Sequence, residues 1–279
     1  MSKWFRKVKE GIKYPSRLIR GSQGEAVNKC PACQKLMNEQ EIESNLYVCT
    51  CGFHYRIGPT EYLSILFDDN EYDELFTNIE VVDKLGFTDR ISYLDRISST
   101  REKTGSKDAV YIAHGKVDGM ETIVAAMDFA FIGGSTGSVE GEKISRAIDF
   151  AREKKIPFLL ITKSGGVRIM ESLFSLMQMA KIIAKISQLH NDKIPYFSLL
   201  TDPTIAGVTA FAMLADIIMA EPDALIGYTA PKIIIESTGK ELPKGFQRAE
   251  SLLEHGFIDI IVPRPELKKK YSKLIEMLA

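Results

Sequence analysis

Apolar residues in the second half of the chain follow two periods in turn, and this alternation predicts strands interleaved with helices. Compact apolar runs bounded by turn residues predict buried strands at residues 156–162, 195–201, 216–222 and 224–228. Apolar positions spaced three or four residues apart predict helices at residues 141–155, 172–190, 210–216, 245–256 and 265–278. Strands alternating with helices predict an α/β fold with largely parallel strand pairing.

The middle of the chain predicts two helices followed by a hairpin. A helix over residues 61–68 has Thr60 as its expected N-cap, and a second helix over residues 89–105 ends at Gly105. Two apolar runs, residues 109–117 and 121–132, then meet at Asp118–Gly119, a dipeptide typical of tight hairpin turns. We therefore expect an antiparallel pair before the parallel strands begin.

The first segment differs from the rest because it is polar, basic and holds all four cysteines of the chain. We predict a basic arm at residues 1–26, a metal ribbon at 27–58 and the α/β domain at 59–279. The net charge of the whole chain is −1, so the arm is a local feature, expected to be a solvated terminus. Because no apolar run is long enough to span a bilayer and residues 1–14 lack the apolar core of a secretory signal, we expect no membrane association.

The cysteines have the spacing of a zinc ribbon. Cys30 and Cys33 form a pair with the usual two-residue spacer, whereas Cys49 and Cys51 are separated by a single residue. Four thiolates around a tetrahedral ion crosslink knuckles that could not bury a core of their own. The shortened pair leaves two alternatives open, namely that His54 replaces one thiolate or that the ribbon is metal-free.

Two glycine loops carry the main chemical signal. One follows a predicted strand and contains Gly165, Gly166 and Val167; the other, one strand later, contains Ala206 and Gly207. Small residues allow a ligand to approach the backbone, and free N–H groups at a helix start favour an anion or an oxyanion. Facing each other, the loops would polarise a thioester carbonyl and stabilise its enolate. The alternative is close packing of helix on strand.

Other candidate positions have weaker signals. The stretch FIGGSTGSVEGEKI has neither the P-loop spacing nor the dinucleotide fingerprint. Arg168 and Lys163 flank the first loop, where Arg168 is the better candidate for CoA phosphates and Lys163 is as readily a solvated surface residue. No histidine lies in a catalytic motif. We expect one apolar stripe to be core rather than a cofactor site: Leu173, Leu176, Met177, Met179 and Ala180.

The order of these motifs resembles a known family. The ribbon start is followed by MDFAFIGGSTGSVEGEKI, SGGVRI, SLMQMAK, LLTDPT, GVTA, FAML, AEPDALIGY and LPKGFQRAESLLEHG. From roughly Cys30 to the C-terminus, the chain resembles the β subunit of the carboxyltransferase of bacterial and plastid acetyl-CoA carboxylase. The resemblance implies a crotonase-like (ClpP/crotonase) fold of repeated ββα units with an N-terminal zinc ribbon.

The resemblance also implies a function and partners. The chain would transfer a carboxyl group from carboxybiotin, supplied on a biotin carboxyl carrier protein, to acetyl-CoA, giving malonyl-CoA. It would assemble with an α subunit of similar fold into an α2β2 heterotetramer, and a biotin carboxylase would act elsewhere, because this sequence shows no biotinylation motif and no ATP-binding loop.

Site residues follow from the same resemblance. The oxyanion donors would be the amides of Gly166 or Val167 and of Ala206 or Gly207, and no side-chain nucleophile is needed. We predict contact of CoA with residues on and around the first loop, and structural zinc at the cysteines: Gly133, Gly134, Ser164, Gly165 and Arg168 for CoA, with Cys30, Cys33, Cys49 and Cys51 for the metal.

The chain departs from the family pattern on these loops. The family usually has alanine at Val167, glutamine at Met170 and glycine at Ser172. It also has glycine at Ala206 and an additional serine between Ala210 and Phe211. If Ala206 requires positive φ, its Cβ strains the loop by about 1 kcal/mol or more. A deleted residue also rotates the rest of a helix by about 100°.

Two rival functions stay open, the first because of these departures and the second because of the basic arm; a stand-alone crotonase-type hydratase or thioesterase is disfavoured because no carboxylate pair is evident near the glycine loops. One is a structural or regulatory subunit that assembles but transfers carboxyl groups poorly. The other is a zinc-ribbon protein that binds nucleic acid through its basic arm, which is less favoured because few aromatic residues accompany the basic ones. For all readings we expect the bacterial cytoplasm, with the plastid stroma as the less favoured location.

Overall fold

The computed structural model of the chain describes residues 19–20 and 26–278. The predicted basic arm, residues 1–26, therefore lies almost wholly outside the described residues. The chain divides into two compact units, one ending at Tyr55 and one beginning at Arg56. Among the helices described, none combines the length and apolar character needed to cross a membrane.

The small unit is a three-stranded antiparallel sheet with one short helix. Its elements are β1 (Ile19–Arg20), β2 (Ala26–Lys29), β3 (Leu36–Asn38) and α1 (Glu39–Ser44). Asn38 and Glu41 form a reciprocal capping box that fixes the start of α1. The buried core consists of Met37, Ile42 and two of the cysteines. So few apolar side chains supply little burial energy, which is why such a unit benefits from a metal.

The large unit contains an eight-stranded mixed sheet. Its strands are β4 (Tyr72–Leu75), β5 (Val110–Val117), β6 (Met120–Met127), β7 (Phe158–Ser164), β8 (Tyr196–Ile205), β9 (Ile217–Ala220), β10 (Ile226–Gly227) and β11 (Ile260–Ile261). The order is β11-β9-β8-β7-β6-β5-β4, with β10 also paired to β8. The predicted parallel pairing is confirmed from β6 to β11, and the predicted hairpin is the antiparallel pair β5–β6.

Eight helices accompany this sheet in the described part of the chain. They are α2 (Pro59–Leu66), α3 (Tyr93–Thr104), α4 (Ser138–Lys154), α5 (Leu173–Asn191), α6 (Gly207–Ala212), α7 (Pro231–Thr238), α8 (Ala249–Glu254) and α9 (Leu267–Leu278). The predicted end of α3 at Gly105 is confirmed, since Gly105 has φ 74°. The predicted N-cap Thr60 is wrong: α2 begins after Gly58 because Pro59, which has no N–H to satisfy, occupies its first turn.

Strand β8 runs further than its apolar pattern predicts. Residues 202–205, expected in a loop, extend the strand because β10 supplies hydrogen-bond partners there: Ile226 pairs with Thr204, and the Thr204 N–H donates to the carbonyl of Leu225 at 2.8 Å. The second glycine loop is consequently shorter than expected and begins at Ala206. Strand β6 is shorter than predicted and ends at Met127, where Asp128 accepts a hydrogen bond from the Ala130 N–H.

Helices cover both faces of the sheet. Alternate strand residues such as Ile123, Leu160 and Leu200 face α4 and α5 in the main core. The adjacent residue Thr122 points to the opposite face, where its hydroxyl meets the Tyr271 hydroxyl of α9 at 2.6 Å. The result is a three-layer arrangement in which both sides of the central parallel strands are buried.

Candidate functional site

The two glycine loops meet at one edge of the sheet. Strands β7 and β8 are parallel neighbours, so their carboxyl ends lie side by side and each leads into one loop. A Cβ built on Gly166 would lie 3.0 Å from the Cβ of Ala206, and one built on Gly207 would lie 2.9 Å from Cγ1 of Val167. The loops are therefore in contact, and glycine at both positions makes that contact possible.

Hydrogen bonds separate the four candidate amides into engaged and free donors. The Gly166 N–H donates to Oγ of Ser164 at 3.0 Å, and the Ala206 N–H donates to the carbonyl of Gly227 at 2.9 Å. Within the part of the chain that the structure describes, the N–H groups of Val167 and Gly207 have no acceptor. Gly207 is the first residue of α6, where an N–H has no partner inside the helix. One free donor thus remains on each loop.

The third glycine stretch packs against the first loop. It forms a short 3-10 turn, Ile132–Gly134, whose residue Gly133 accepts a hydrogen bond from the Gly165 N–H at 2.8 Å. A Cβ on Gly134 would lie 2.1 Å from the carbonyl oxygen of Lys163, so close backbone packing requires glycine there. Gly133 and Gly165 remain accessible, and nothing lies within 4 Å of a Cβ built on Gly133. These two glycines leave room for a ligand.

Ser164 is buried and its hydroxyl is used within the loop. Its Oγ accepts from the Gly166 N–H and donates to the Gly166 carbonyl at 3.2 Å. The side chain therefore shapes the turn. The predicted contact of Ser164 with CoA stays a prediction. Because the hydroxyl is already bonded within the loop, that contact would be made by the backbone.

The two basic residues of the first loop are both buried. Arg168 is 1% exposed, and its guanidinium donates to Glu140 and to the Ser135 carbonyl, each at 2.6 Å. It therefore faces inward among protein acceptors, and its predicted contact with CoA phosphates stays a prediction that this burial does not favour. Lys163 is likewise buried, with Nζ donating to the Ile57 carbonyl at 2.6 Å, so the alternative of a solvated surface residue is wrong for Lys163. Burial lowers the pKa of Lys163 to about 8.

The prediction that the apolar stripe on α5 is core is wrong for four of its five residues: Ala180 is exposed with three others, whereas Met179 is partly buried and packs against the main core. Leu173, Leu176 and Met177 are exposed rather than buried in the core. The reason is that α5 buries its other side, with Ile182, Ile186 and Leu189 facing the sheet. The exposed stripe lies directly after the first glycine loop, and together with exposed Ile169 and Phe174 it makes an apolar surface beside the site.

The shortened helix after the second loop retains its core packing. Helix α6 is only six residues long, but Val208, Phe211 and Ala212 all enter the main core. The one-residue deletion relative to the family pattern therefore leaves these three residues in the core, while Leu214, just beyond the helix, is 40% exposed.

The four cysteine sulfurs form a group that fits a tetrahedral metal. All four lie within 4.8 Å of one another, with Cys30 and Cys51 at 3.7 Å and Cys33 and Cys49 at 3.6 Å. A Zn–S bond of about 2.3 Å implies sulfur–sulfur edges of about 3.8 Å in a tetrahedron. His54 does not belong to this group. The shortened pair closes because Gly52 adopts φ 89° and its N–H donates to the Cys49 carbonyl at 2.8 Å.

The environment of Cys49 favours its thiolate. Burial alone would raise the pKa of this thiol, but the Cys51 N–H and the neighbouring thiols lower it to about 6. A thiolate is the form that binds metal. The Phe53 N–H lowers the pKa of the Cys51 thiol, but burial and the neighbouring thiols outweigh it and raise that pKa to about 12. The fit of the cysteine cluster to zinc therefore rests on its geometry.

Sequence reasoning missed the buried residues that support the first loop. Glu140 and Glu171 lie behind it with Tyr93, and Thr136 forms a parallel bridge with Val167. The signal available for Glu140 was its place three residues after Gly137, the capping-box position of α4, where its side chain accepts from the Gly137 N–H at 2.8 Å. The other three have no local pattern that indicates such a role.

Two residues that precede helices have backbone angles suited to glycine. Ala206 has φ 62° and ψ −139°, and Ser172 has φ 48° and ψ −124°. A residue with a Cβ is strained there by about 1–3 kcal/mol. The sequence predicted strain at Ala206 if this residue required positive φ, and Ala206 does have positive φ at a position where the family usually has glycine.

We therefore predict that Ala206→Gly raises the free energy of unfolding by about 1 kcal/mol, because the strain relieved exceeds the entropy that glycine adds to the unfolded chain. Ser172→Gly is expected to act in the same direction. Urea denaturation of the purified chain measures both.

The matched control is Ala210→Gly, in the helix that Ala206 begins. Its backbone is helical, so the substitution should lower the free energy of unfolding by about 1 kcal/mol. If Ala206→Gly destabilises the protein as much as Ala210→Gly does, the strain does not exist.

Comparison with known proteins agrees with this geometry. Residues 83–260 match the carboxyl transferase domain family. The chain is 51% identical over 277 residues to the acetyl-coenzyme A carboxylase carboxyl transferase subunit beta of Pedobacter heparinus, covering 99% of each chain. It is 48% identical over 278 residues to the protein of the same name from Chlorobium phaeobacteroides, again covering 99% of each.

Solved structures confirm the predicted crotonase-like fold. Transcarboxylase 12S, with methylmalonyl-coenzyme A bound, has a TM-score of 0.67 at 23% identity, covering 78% of this chain and 40% of that one. A Pseudomonas malonate decarboxylase MdcD-MdcE heterodimer has a TM-score of 0.63 at 23% identity, covering 79% and 86%. From the match over residues 83–260 and the near-full-length relatives, the chain belongs to the carboxyl transferase family, among the beta subunits of acetyl-coenzyme A carboxylase carboxyl transferase.

Proposed function

We propose that this chain is the carboxyltransferase β subunit of a multi-subunit acetyl-CoA carboxylase and carboxylates acetyl-CoA to malonyl-CoA. The observation that carries the proposal is the pair of free N–H groups, Val167 on one loop and Gly207 on the other, on loops that touch at the carboxyl ends of adjacent parallel strands. The reaction itself is taken from the names of the near-full-length relatives, which are acetyl-coenzyme A carboxylase carboxyl transferase beta subunits.

In the proposed mechanism this chain contributes backbone amides rather than a reactive side chain. The thioester oxygen of acetyl-CoA accepts hydrogen bonds from the Val167 and Gly207 amides, which polarises the carbonyl. Cleavage of the N–C bond of carboxybiotin, supplied on a carrier protein, would release CO₂ and leave a biotin nitrogen that takes the proton from the acetyl methyl group. The resulting enolate, whose oxygen charge the same donors stabilise, would attack CO₂ through its carbon to give malonyl-CoA. Fixed amides need no reorganisation during this step.

CoA is proposed to lie against the accessible glycines. Nothing lies within 4 Å of a Cβ built on Gly133 and Gly165 is exposed, while Gly134 and Ser164 hold the backbone beneath them. We do not assign the CoA phosphates to Arg168, because its guanidinium is buried among protein acceptors.

The remaining assignments concern zinc, partners and location. We propose one structural Zn²⁺ held by Cys30, Cys33, Cys49 and Cys51. The proposed partners are an α subunit in an α2β2 assembly, a biotin carboxyl carrier protein and a biotin carboxylase. The exposed apolar stripe that begins at Leu173 supports the presence of a partner chain beside the site. The proposed location is the bacterial cytoplasm.

One observation favours a second candidate, a subunit that assembles but transfers carboxyl groups weakly. Ala206 and Ser172 both carry a Cβ at angles suited to glycine, and both lie on the loops that form the site. Strain there would reduce activity if it displaced the Gly207 donor. The nucleic-acid alternative depends on the basic arm, which lies outside the described residues.

The first prediction is activity that requires both subunits. With the cognate α subunit, the chain should convert malonyl-CoA and a soluble biotin derivative into acetyl-CoA in the reverse reaction, whereas the chain alone should show no turnover. The physical reason is that this chain supplies donors for the thioester, while the α side holds biotin.

A stable complex without turnover would reject the catalytic proposal in favour of the weak or regulatory subunit. Failure of the two chains to form a complex would reject the proposed assembly.

The second prediction tests the donors directly. Replacing the Val167 amide by an ester, through incorporation of the α-hydroxy analogue of valine, removes the N–H and keeps the side chain. We expect kcat to fall by about 10²- to 10³-fold, the cost of losing one oxyanion donor. The same replacement at Val82, an exposed residue outside the loops, is the control and should leave kcat unchanged. Equal rates for the two esters would show that the Val167 N–H is not a donor.

The third prediction concerns the metal. Cys49→Ser should reduce bound zinc from one per chain to near zero, because losing one thiolate opens the tetrahedral site. Elemental analysis of the purified chain measures the zinc content. Ser44→Ala, in the same unit but outside the cysteine group, is the control and should retain the metal. A wild-type chain purified without chelator that contains no zinc would refute the assignment.

A further inference from the structure

Four buried side chains from separate parts of the large unit meet behind the first glycine loop. They are Tyr93 of α3, Glu140 of α4, and Arg168 and Glu171 of the loop, none more than 5% exposed. Arg168 Nη2 donates to Glu140 at 2.6 Å and Nη1 donates to the Tyr93 hydroxyl at 3.2 Å. The Tyr93 hydroxyl in turn donates to Glu171 at 2.6 Å. We call these four residues the loop network.

The backbone on either side of Val167 is fixed to a single residue of the neighbouring loop. The Thr136 N–H donates to the Gly166 carbonyl at 3.0 Å, and the Arg168 N–H donates to the Thr136 carbonyl at 2.9 Å. In such a parallel bridge, the N–H of the middle residue points away from the bridging partner. The orientation of the Val167 N–H therefore depends on keeping residues 166–168 against Thr136.

The loop network holds that bridge from both directions. Arg168 also donates to Oγ of Ser135 at 3.2 Å and to the Ser135 carbonyl at 2.6 Å, next to Thr136. Glu171, on the first loop, accepts from the Ser138 N–H at 2.7 Å, and Glu140 accepts from the Gly137 N–H at 2.8 Å. Every residue from Ser135 to Ser138 thus bonds either to the first loop or to a member of the network.

We infer that the loop network is a positioning device that sets the direction of the Val167 N–H, and that Arg168 is a positioning residue rather than a CoA phosphate ligand. A buried ion pair often adds little net stability compared with apolar residues of the same volume, so stability alone does not account for it. What charged hydrogen bonds add is fixed geometry. This inference rests on the proposed function, because it concerns the donor that the function uses.

The test compares three variants in the complex with the α subunit. Glu140→Gln and Tyr93→Phe each alter the loop network while keeping side-chain shape. Glu221→Gln is the control, because Glu221 forms an equally buried pair with Arg264, at 2.8 Å, outside the glycine loops. We expect Glu140→Gln to lower kcat about tenfold or more, with the KM for malonyl-CoA within about twofold of wild type. Tyr93→Phe should show a smaller loss of kcat, and Glu221→Gln should show none.

A second measurement tests how firmly the first loop is held, and it does not require activity. Amide hydrogen exchange of peptides covering residues 165–172 should be faster in Glu140→Gln and Tyr93→Phe than in Glu221→Gln. A rise in KM at constant kcat would overturn the inference in favour of a phosphate-binding role. Equal losses of kcat in Glu140→Gln and Glu221→Gln would reduce the network to a purely structural one.

Different results would reject the proposed function and the positioning role of the loop network. An inactive wild-type complex would reject the proposed function, and hydrogen exchange alone would then decide whether the network fixes the loop. An active wild-type complex with unchanged kcat and unchanged exchange in the variants would reject only the positioning role.

Discussion

The parallel pairing of β7 with β8 is the constraint on which the site depends. It places the ends of two strands side by side, so that loops distant in sequence meet at Gly166 and Ala206. The strands themselves are held by burial on both faces, with α4 and α5 on one side and α9 on the other. A rigid sheet can then hold two short loops in fixed contact, which an oxyanion site made of backbone amides requires.

Several buried charges lie near this edge of the sheet, each with a partner inside the protein. Arg168 pairs with Glu140, Lys143 pairs with Asp108 at 2.8 Å, and Lys163 donates to a backbone carbonyl. Burying any of these cations without its acceptor would cost roughly several kcal/mol of folding free energy. These charges therefore hold loops and helices together inside the protein, and the surface proposed to bind CoA consists mainly of glycine and main-chain groups.

Periodicity in the sequence was sufficient for the order of strands and helices, because burial on one or both faces leaves a regular apolar pattern. It failed where a partner element decides the outcome: residues 202–205 become strand only because β10 pairs with them. The glycine loops were visible as motifs, but the sequence could not show that the Val167 and Gly207 amides are the free ones, since this depends on distant acceptors such as Gly227. The burial of Arg168 was not visible for the same reason, because its partner Glu140 is 28 residues away.

Because the donors belong to the main chain, changes of side chain on these loops act through conformation. Val167 and Ala206 keep their N–H groups whatever side chain they carry, and the Ala206 N–H is already bonded to Gly227. The Cβ of Ala206 does, however, occupy the space opposite Gly166, where a second Cβ would come within 3.0 Å. The contact between the loops thus has room for one Cβ but not two. A chain with alanine at position 206 therefore requires glycine at position 166 more strictly than a chain with glycine at position 206 does.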